Sequence, residues 1–570
     1  MRFRLRPYCV LILLAAWVAV IATPSMSWAA RSTDAITQIE TAAATGQLDF
    51  ETAILYKIRA IRNPQLLPEP FRRAAQLSPV KCGTPVVVEA YSAFPRLSLD
   101  VQAEIQAAMA RPVTDSVYFS PGGHFAIHYD LDSVNAVSSA DNDSSGFPDF
   151  IEDLARYFDS SWAYEVDDLG WRRPPSDGIA GGDSLYDVYP TSIGLTYGYT
   201  IQDAPGPEPW DDFSSYIYVN KSFVGFPPND DPDGDKAGAM KVTAAHEFNH
   251  ACQFATDALH LHATESWWQE LSATWIEDIV YDPVNDNYNY LDEFFPVPGV
   301  SLFDGSDHKY GAFVFAKHME EAFDTVVVRN AWEYMRWQSA KTGVDSALID
   351  VGSAFSATFG TFSEWNYFTG SRDDGAHYSD AADYLMVPYS TTHSTYPVLD
   401  RSSVTFGSMA ADYVNFLPDP MGRDVVRINF NGTNGIPWGA AVWQFDSAGT
   451  ATAFPFTLDP VTGDGAVYVG HFNDMAHAVL IAANENVVSG TANYRYSVDF
   501  LIRADCDNDK DADIFDVLYL IDAVYSGGPT PQPIWQVGDL NCSGGLDALD
   551  VSVIVDYVLK GGPKPCPPID

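Results

Sequence analysis

The spacing of apolar positions divides this 570-residue chain into stretches of different period. Behind Arg2, Arg4 and Arg6, an apolar run covers residues 10–21 and is followed by Ser27 and Ala29 at the −3 and −1 positions of a small-residue cleavage site, so residues 1–29 read as an export signal. The run is too short to span a membrane, and no later stretch approaches the required ~20 apolar residues. Residues 30–112 have helical periodicity in "DAITQIETAAATG" and "FETAILYKIRAI", broken by "PQLLPEPF"; this region is expected to be a propeptide or a structural cap. Strand-like runs at 125–130, 185–189 and 216–219 precede a helix predicted over 240–256. A second helix is predicted over 265–277, buried through Trp267, Trp268, Leu271 and Trp275, and helices continue to about residue 368. From 395 to 502 the texture changes to short alternating segments such as "DVVRINFNG", "AVYVGHF" and "AVLIAANE", which predict about eight strands in an antiparallel β-sandwich. The expected order is thus an α+β domain over 113–390, the sandwich, and a small α-helical module over 503–570.

The chemistry concentrates in the two central helices. His246 and His250 are four residues apart, so on a helix they project from one face and can share a tetrahedral metal ion, with Glu247 beside a water activated there. A third protein ligand must leave one position open for water, and Glu270, on the following helix, meets that need. Thr256 stands where the HExxHxxGxxH class carries its third His, which excludes that class. Glu265 and Glu277 are rival ligands; Glu277, seven residues beyond Glu270 on the same helical face, is read either as support behind a metal ligand or, in preference, as facing solvent. His260 and His262 fall in a loop-like stretch and are expected to be exposed. Glu247 would take the water's proton and pass it to the leaving amine. The developing oxyanion would be met by Tyr310 or His308 in "DHKYGAFVF".

The interval of 20 residues from His250 to Glu270 resembles that of thermolysin-like zinc peptidases of the gluzincin group. "WWQELSATWIED", "HFAIHYD" and "YGAFVF" are similar to segments of a family of secreted bacterial gluzincin-like metallopeptidases, over roughly residues 80–340. The resemblance implies a zincin-like fold, zinc on His246, His250 and Glu270, Glu247 as general base, and an edge strand that holds substrate backbone beside the metal. Thr274 departs from thermolysin, whose glutamate helix carries an Asp at that position to support a ligand His. The competing reading is a scaffold or adhesion protein with an inactive peptidase-like domain. Within the enzyme reading, endopeptidase and aminopeptidase both remain open.

Net charge sharpens the picture. At −44, with 58 Asp against only 18 Glu, the chain repels nucleic acid and anionic membranes and suits an extracellular or cell-surface protein with oxygen-rich cation loops. Asp505, Asp507, Asp509, Asp511, Asp513 and Asp516 occupy positions 1, 3, 5, 7, 9 and 12 of a calcium loop; Asp539, Asn541, Ser543, Asp547 and Asp550 repeat positions 1, 3, 5, 9 and 12 after 34 residues. Each loop precedes an apolar helix, "DVLYLIDAVYSGGPTP" and "DVSVIVDYVLKGGPKP". The duplication resembles a type I-like dockerin, which implies calcium-dependent folding and a cohesin-type partner. Lys510 replaces the loop glycine that Gly544 supplies in the second copy. Asp141, Asp143, Ser145, Asp149 and Glu152 match a third loop, read equally as a calcium site or an Asx-rich turn, and residues 229–235 form a weaker acidic run. Five Cys follow the export signal, and Cys252 is expected to be buried or paired with Cys82.

Overall fold

The computed structural model describes residues 34–258, 265–419 and 425–566; the export signal and His260 and His262 lie outside them. No helix among the described residues is long and apolar enough to cross a membrane. The N-terminal region forms α1 (Ala35–Ala44), α2 (Phe50–Arg62), α3 (Phe71–Leu77), α4 (Thr84–Ala93) and α5 (Leu99–Met109). Asp34 and Asp49 cap α1 and α2 by accepting from the backbone N–H of Thr37 and Thr52, each at 2.9 Å. The purely helical expectation for this region is corrected by β1 (Val80–Cys82), a strand enclosed between Pro79 and Gly83. Three residues are too few for an alternation of apolar and polar positions to register.

A six-stranded sheet follows, ordered β1-β5-β6-β4-β3-β2, with β2 (Ser116–Phe119), β3 (Phe125–Tyr129), β4 (Tyr186–Thr191), β5 (Thr196–Pro205) and β6 (Phe213–Asn220). β1 pairs parallel to β5, with Val80 opposite Thr196 and Cys82 opposite Gly198. β4 is buried along its whole length because both sheet faces are covered. One face carries Phe125, Ile127, Val188, Ile217 and Val219 into the core shared with α6 (Asp149–Trp162), α7 (Asp235–Phe254) and α8 (Ser266–Tyr281). The other carries Tyr189, Tyr199, Ile201, Tyr216 and Tyr218 against α2, α4 and α5. The N-terminal segment thus supplies both the cover of one face and the edge strand.

Short helices from residue 308 to 365 complete the wall behind α8. Beyond them lie a five-stranded and a four-stranded sheet, which share a core of Val414, Phe416, Ile428, Phe430, Leu480 and Val498. The five-stranded sheet also turns Tyr413, Val479 and Ile481 into the core of the preceding domain. This seam is hydrogen-bonded: Tyr413 donates to the Ser363 carbonyl at 2.7 Å and Trp443 to Glu364 at 3.0 Å.

At the C-terminus two helices, Ile514–Ile521 and Ala548–Ile554, pack around Cys506, Val517, Leu520, Leu540 and Ile554. A disulfide joins Cys542 to Cys566. Cys82, Cys252 and Cys506 are free and buried, so of the two expectations for Cys252 the structure shows burial and not pairing with Cys82. The Cys82 thiol faces polar side chains instead.

At the seam, burial and the neighbouring Glu364 carboxylate push Glu485 up to about 7. A carboxyl raised from its unfolded value near 4.5 contributes stability that is complete below that value and is lost as pH climbs through 7. Glu485→Gln removes this loss. The variant should be more stable than the parent at pH 8, by at most about 3 kcal/mol, and equal to it near pH 4. Thermal unfolding at the two pH values measures this, and an equal gain at both would refute the assignment.

Candidate metal centre

Every residue of α7 from Val242 to Phe254 is buried, so all sides of its C-terminal part are enclosed. A helix so enclosed carries His246, Glu247, Asn249, His250 and Gln253 into a space without bulk water, where each polar atom needs a partner. Gly198 on β5 lets the helix approach: a Cβ there would stand 2.9 Å from both the Glu247 side chain and the Tyr218 carbonyl.

The outer nitrogens of both imidazoles are held. His246 Nδ1 is 2.7 Å from Glu277 Oε1, and His250 Nδ1 is 2.8 Å from Gln253 Oε1. With Nδ1 donating, each Nε2 presents a lone pair. Gln253 is fixed in turn by Asn249, whose amide donates to the buried Glu165 at 2.9 Å. Glu277 is buried rather than solvated, which corrects the sequence expectation. It also accepts from Lys81 Nζ at 2.8 Å, and Lys81 bonds Asp286 at 2.5 Å. Its place seven residues beyond Glu270 puts it on the same helical face, but only the packing of β1 against α8 shows that this face is interior.

The inner atoms converge. Glu270 Oε2 lies 3.3 Å from His246 Nε2, and Glu270 Oε1 lies 3.3 Å from His250 Nε2. Cys82 Sγ stands 3.3 Å from His250 Nε2 and 3.4 Å from Glu247 Oε1. The four ligating atoms of Cys82, His246, His250 and Glu270 lie within 4.8 Å of one another. His246 Nε2 and both Glu270 oxygens are buried and make no hydrogen bond. Donors bound to a tetrahedral zinc at about 2.0–2.3 Å are separated by about 3.3–3.7 Å, so this donor set fits the ion in spacing as well as in chemistry.

Without a metal ion, imidazole and carboxylate pair with each other, and His246 would have to give up its second proton to a cation bound there. Burial lowers His246, yet its contacts with Glu270 and Glu277 outweigh burial and push it up to about 10. Burial raises Glu270, but the two imidazoles hold it well below the usual carboxylate range. Glu247 is pushed up by burial against the opposing pull of His250 and His246. Its carboxylate accepts from Thr200 at 2.8 Å and Thr84 at 3.2 Å.

The two oxyanion candidates part ways. The Tyr310 hydroxyl approaches the Cys82 carbonyl at 3.5 Å, at the edge of the cluster. His308 bonds the Glu293 carbonyl through Nδ1 at 2.8 Å and packs on Phe294, so its contacts are turned from the cluster. Sequence reasoning missed Cys82, Lys81, Thr84 and Thr200, which arrive from outside the motif, and also Gln253, which its place one turn beyond His250 could have indicated.

The C-terminal loops form by backbone donation to carboxylates. Asp505 and Asp507 accept from Asp509 N–H, Asp505 also from Lys510 N–H, and Asp539 from Ser543 and Gly544 N–H, at 3.0–3.2 Å. Asp513 and Asp547 begin the two helices in capping boxes with Asp516 and Asp550. Carboxylates of Asp505, Asp507 and Asp509 converge, as do those of Asp141, Asp143 and Asp149; Glu152 lies within the first turns of α6. Lys510 adopts φ 77°, the left-handed conformation that Gly544 adopts freely at φ 85°. Glycine at 510 would relieve a cost of about 1 kcal/mol. Lys510→Gly should therefore tighten calcium at the first loop about fivefold in a calcium titration; an unchanged affinity would contradict this.

Replacing Glu277 with Gln removes the charge behind His246 while keeping its shape. Zinc affinity should fall about 10- to 100-fold in competition with a chromophoric chelator, with the circular dichroism spectrum retained. Undiminished affinity would show that Glu277 serves packing alone. No protein-family model and no curated protein matches this chain, so the functional reading rests on the residues themselves.

Proposed function

We propose that this chain is a secreted zinc-dependent peptidase that hydrolyses peptide bonds in extracellular proteins. The observation that carries the reading is the convergence of the buried ligating atoms of His246, His250 and Glu270, which meet one another at 3.3 Å while the outer nitrogens of both imidazoles are held from behind. A bare cluster of this kind is costly in a dry interior, and a divalent cation removes the cost. His246, His250 and Glu270 would hold zinc, which supplies Lewis-acid polarisation of a carbonyl and acidification of water.

The chain's own groups do the rest. Glu247, raised by its burial, accepts a proton from the attacking water at its carboxylate and returns it to the leaving amine. Glu277 and Gln253 keep the two imidazoles in the tautomer that turns Nε2 inward. Tyr310, buried at the rim, is the group placed to donate to a developing oxyanion. The β5 edge, paired with β1 at Thr196 and Gly198, would offer backbone groups to an extended peptide once β1 is displaced.

Two further parts of the reading concern location. The Cys542–Cys566 disulfide and the acidic composition suit an oxidising extracellular setting. The paired C-terminal loops support a calcium-folded, dockerin-like module. Exposed Phe515, Leu518 and Tyr525 offer a face for a cohesin-type partner.

Glu247→Gln should abolish hydrolysis of a generic protein substrate by the processed enzyme while zinc stays at about one per chain. Chelation should abolish activity in the parent, and zinc should restore it. A Glu247→Gln protein that still cleaves would end the proposed mechanism. A zinc-loaded processed parent that never cleaves would favour the scaffold reading.

A further inference from the structure

The fourth ligating atom of the cluster comes from a segment that the peptidase reading leaves without a role. Cys82 ends β1, which lies along the outer edge of β5, where an extended substrate would otherwise pair. The pairing is by backbone: Val80 N–H donates to the Leu195 carbonyl at 2.9 Å and Gly83 N–H to the Gly198 carbonyl at 3.0 Å. From this strand the thiol reaches inward to His250 Nε2 and Glu247 Oε1, on the side toward which the unpartnered atoms of His246 and Glu270 are turned. Thr84, two residues on, donates to the Glu247 carboxylate. Lys81, one residue before, is ion-paired to the Glu277 that holds His246. Four consecutive residues therefore engage the substrate edge, the open corner of the metal centre, the general base and the support of one ligand.

Resting on the zinc-peptidase reading, we infer that Cys82 is the fourth zinc ligand of a latent precursor, and that the enzyme becomes competent only when residues 80–84 leave the β5 edge. A thiolate is a strong zinc ligand and completes a closed, four-coordinate site, whereas catalysis requires one position free for water. Beside Cys82, between α1 and the Tyr310 helix, lies a cavity of about 220 Å3 lined by Asp34, Glu40, Lys81, Ser266 and Tyr310. The connection from the end of α5 at Met109 to the start of β2 at Ser116 contains Val113, which is 98% exposed. Hydrolysis of one peptide bond there by a second peptidase, with water supplying hydroxyl to the carbonyl carbon and hydrogen to the amine, would sever the segment from the rest of the chain.

X-ray absorption at the zinc edge tests the ligand directly on the full chain without the export signal. The expected result is one sulfur scatterer near 2.3 Å. It should be absent in Cys82→Ser and present in Cys252→Ser, with zinc near one per chain in all three proteins. Processing in the 110–115 connection, followed by removal of the N-terminal piece, should remove the sulfur signal and raise hydrolysis at least about tenfold, the factor expected if the latch is open in at most a tenth of intact molecules. Zinc bound in the intact chain with only nitrogen and oxygen neighbours would overturn the latch and leave the peptidase reading standing. Equal activity of intact and processed chains would also overturn the latch. Failure of the intact chain to bind zinc would overturn both.

Discussion

Burial of four metal-ligating groups in one place is the constraint around which this protein is arranged. Two imidazoles, a carboxylate and a thiol meet where no bulk water reaches, on a helix enclosed along most of its length. Three of their atoms have no hydrogen-bond partner, while the atoms behind them are tied through Glu277, Gln253, Asn249 and Glu165. An interior that ties down the outer nitrogen of each imidazole and gathers the inner ones around one carboxylate has the donor set a cation could occupy. Without one, the arrangement concentrates desolvation cost at a single point.

The same constraint gives meaning to the N-terminal segment. Its helices cover a sheet face made largely of tyrosines, and its one strand closes the sheet edge nearest the cluster. Both contacts belong to one continuous stretch of chain, so folding support and occupation of the cleft are physically linked. Lys81 illustrates the link: its charge is matched by Glu277 and Asp286 in the interior, and it sits on the strand that delivers Cys82.

Further along the chain, the sheets beyond residue 390 share a core with the helices before them, so the domain that holds the cluster rests on a broad base rather than on a flexible linker. The C-terminal module differs in kind. Its small core is supplemented by a disulfide and by loops whose carboxylates are drawn together by backbone N–H donation. In a chain of net charge −44, such convergence of like charges is held in check by those donors and is where calcium would have the largest effect.

Much of the site was legible because helix geometry is local. His246, Glu247 and His250 belong together by their four-residue spacing alone, and the duplicated loops announce themselves through a fixed offset and matching apolar helices. Residues joined across long separations were not legible. Cys82 lies 168 positions before His250, Lys81 lies 196 before Glu277, and neither carries a periodic signal. The preference for a solvated Glu277 failed for this reason, and the choice between a buried and a paired Cys252 stayed open: burial and thiol environment are properties of the packed sheet edge, not of neighbouring residues. What the sequence by itself determined was the chemistry available on each helix and loop, since backbone periodicity places nearby side chains. Only the tertiary structure decided that a strand from the N-terminal segment stands against that chemistry, because strand pairing joins distant residues through backbone hydrogen bonds that carry no imprint of residue type.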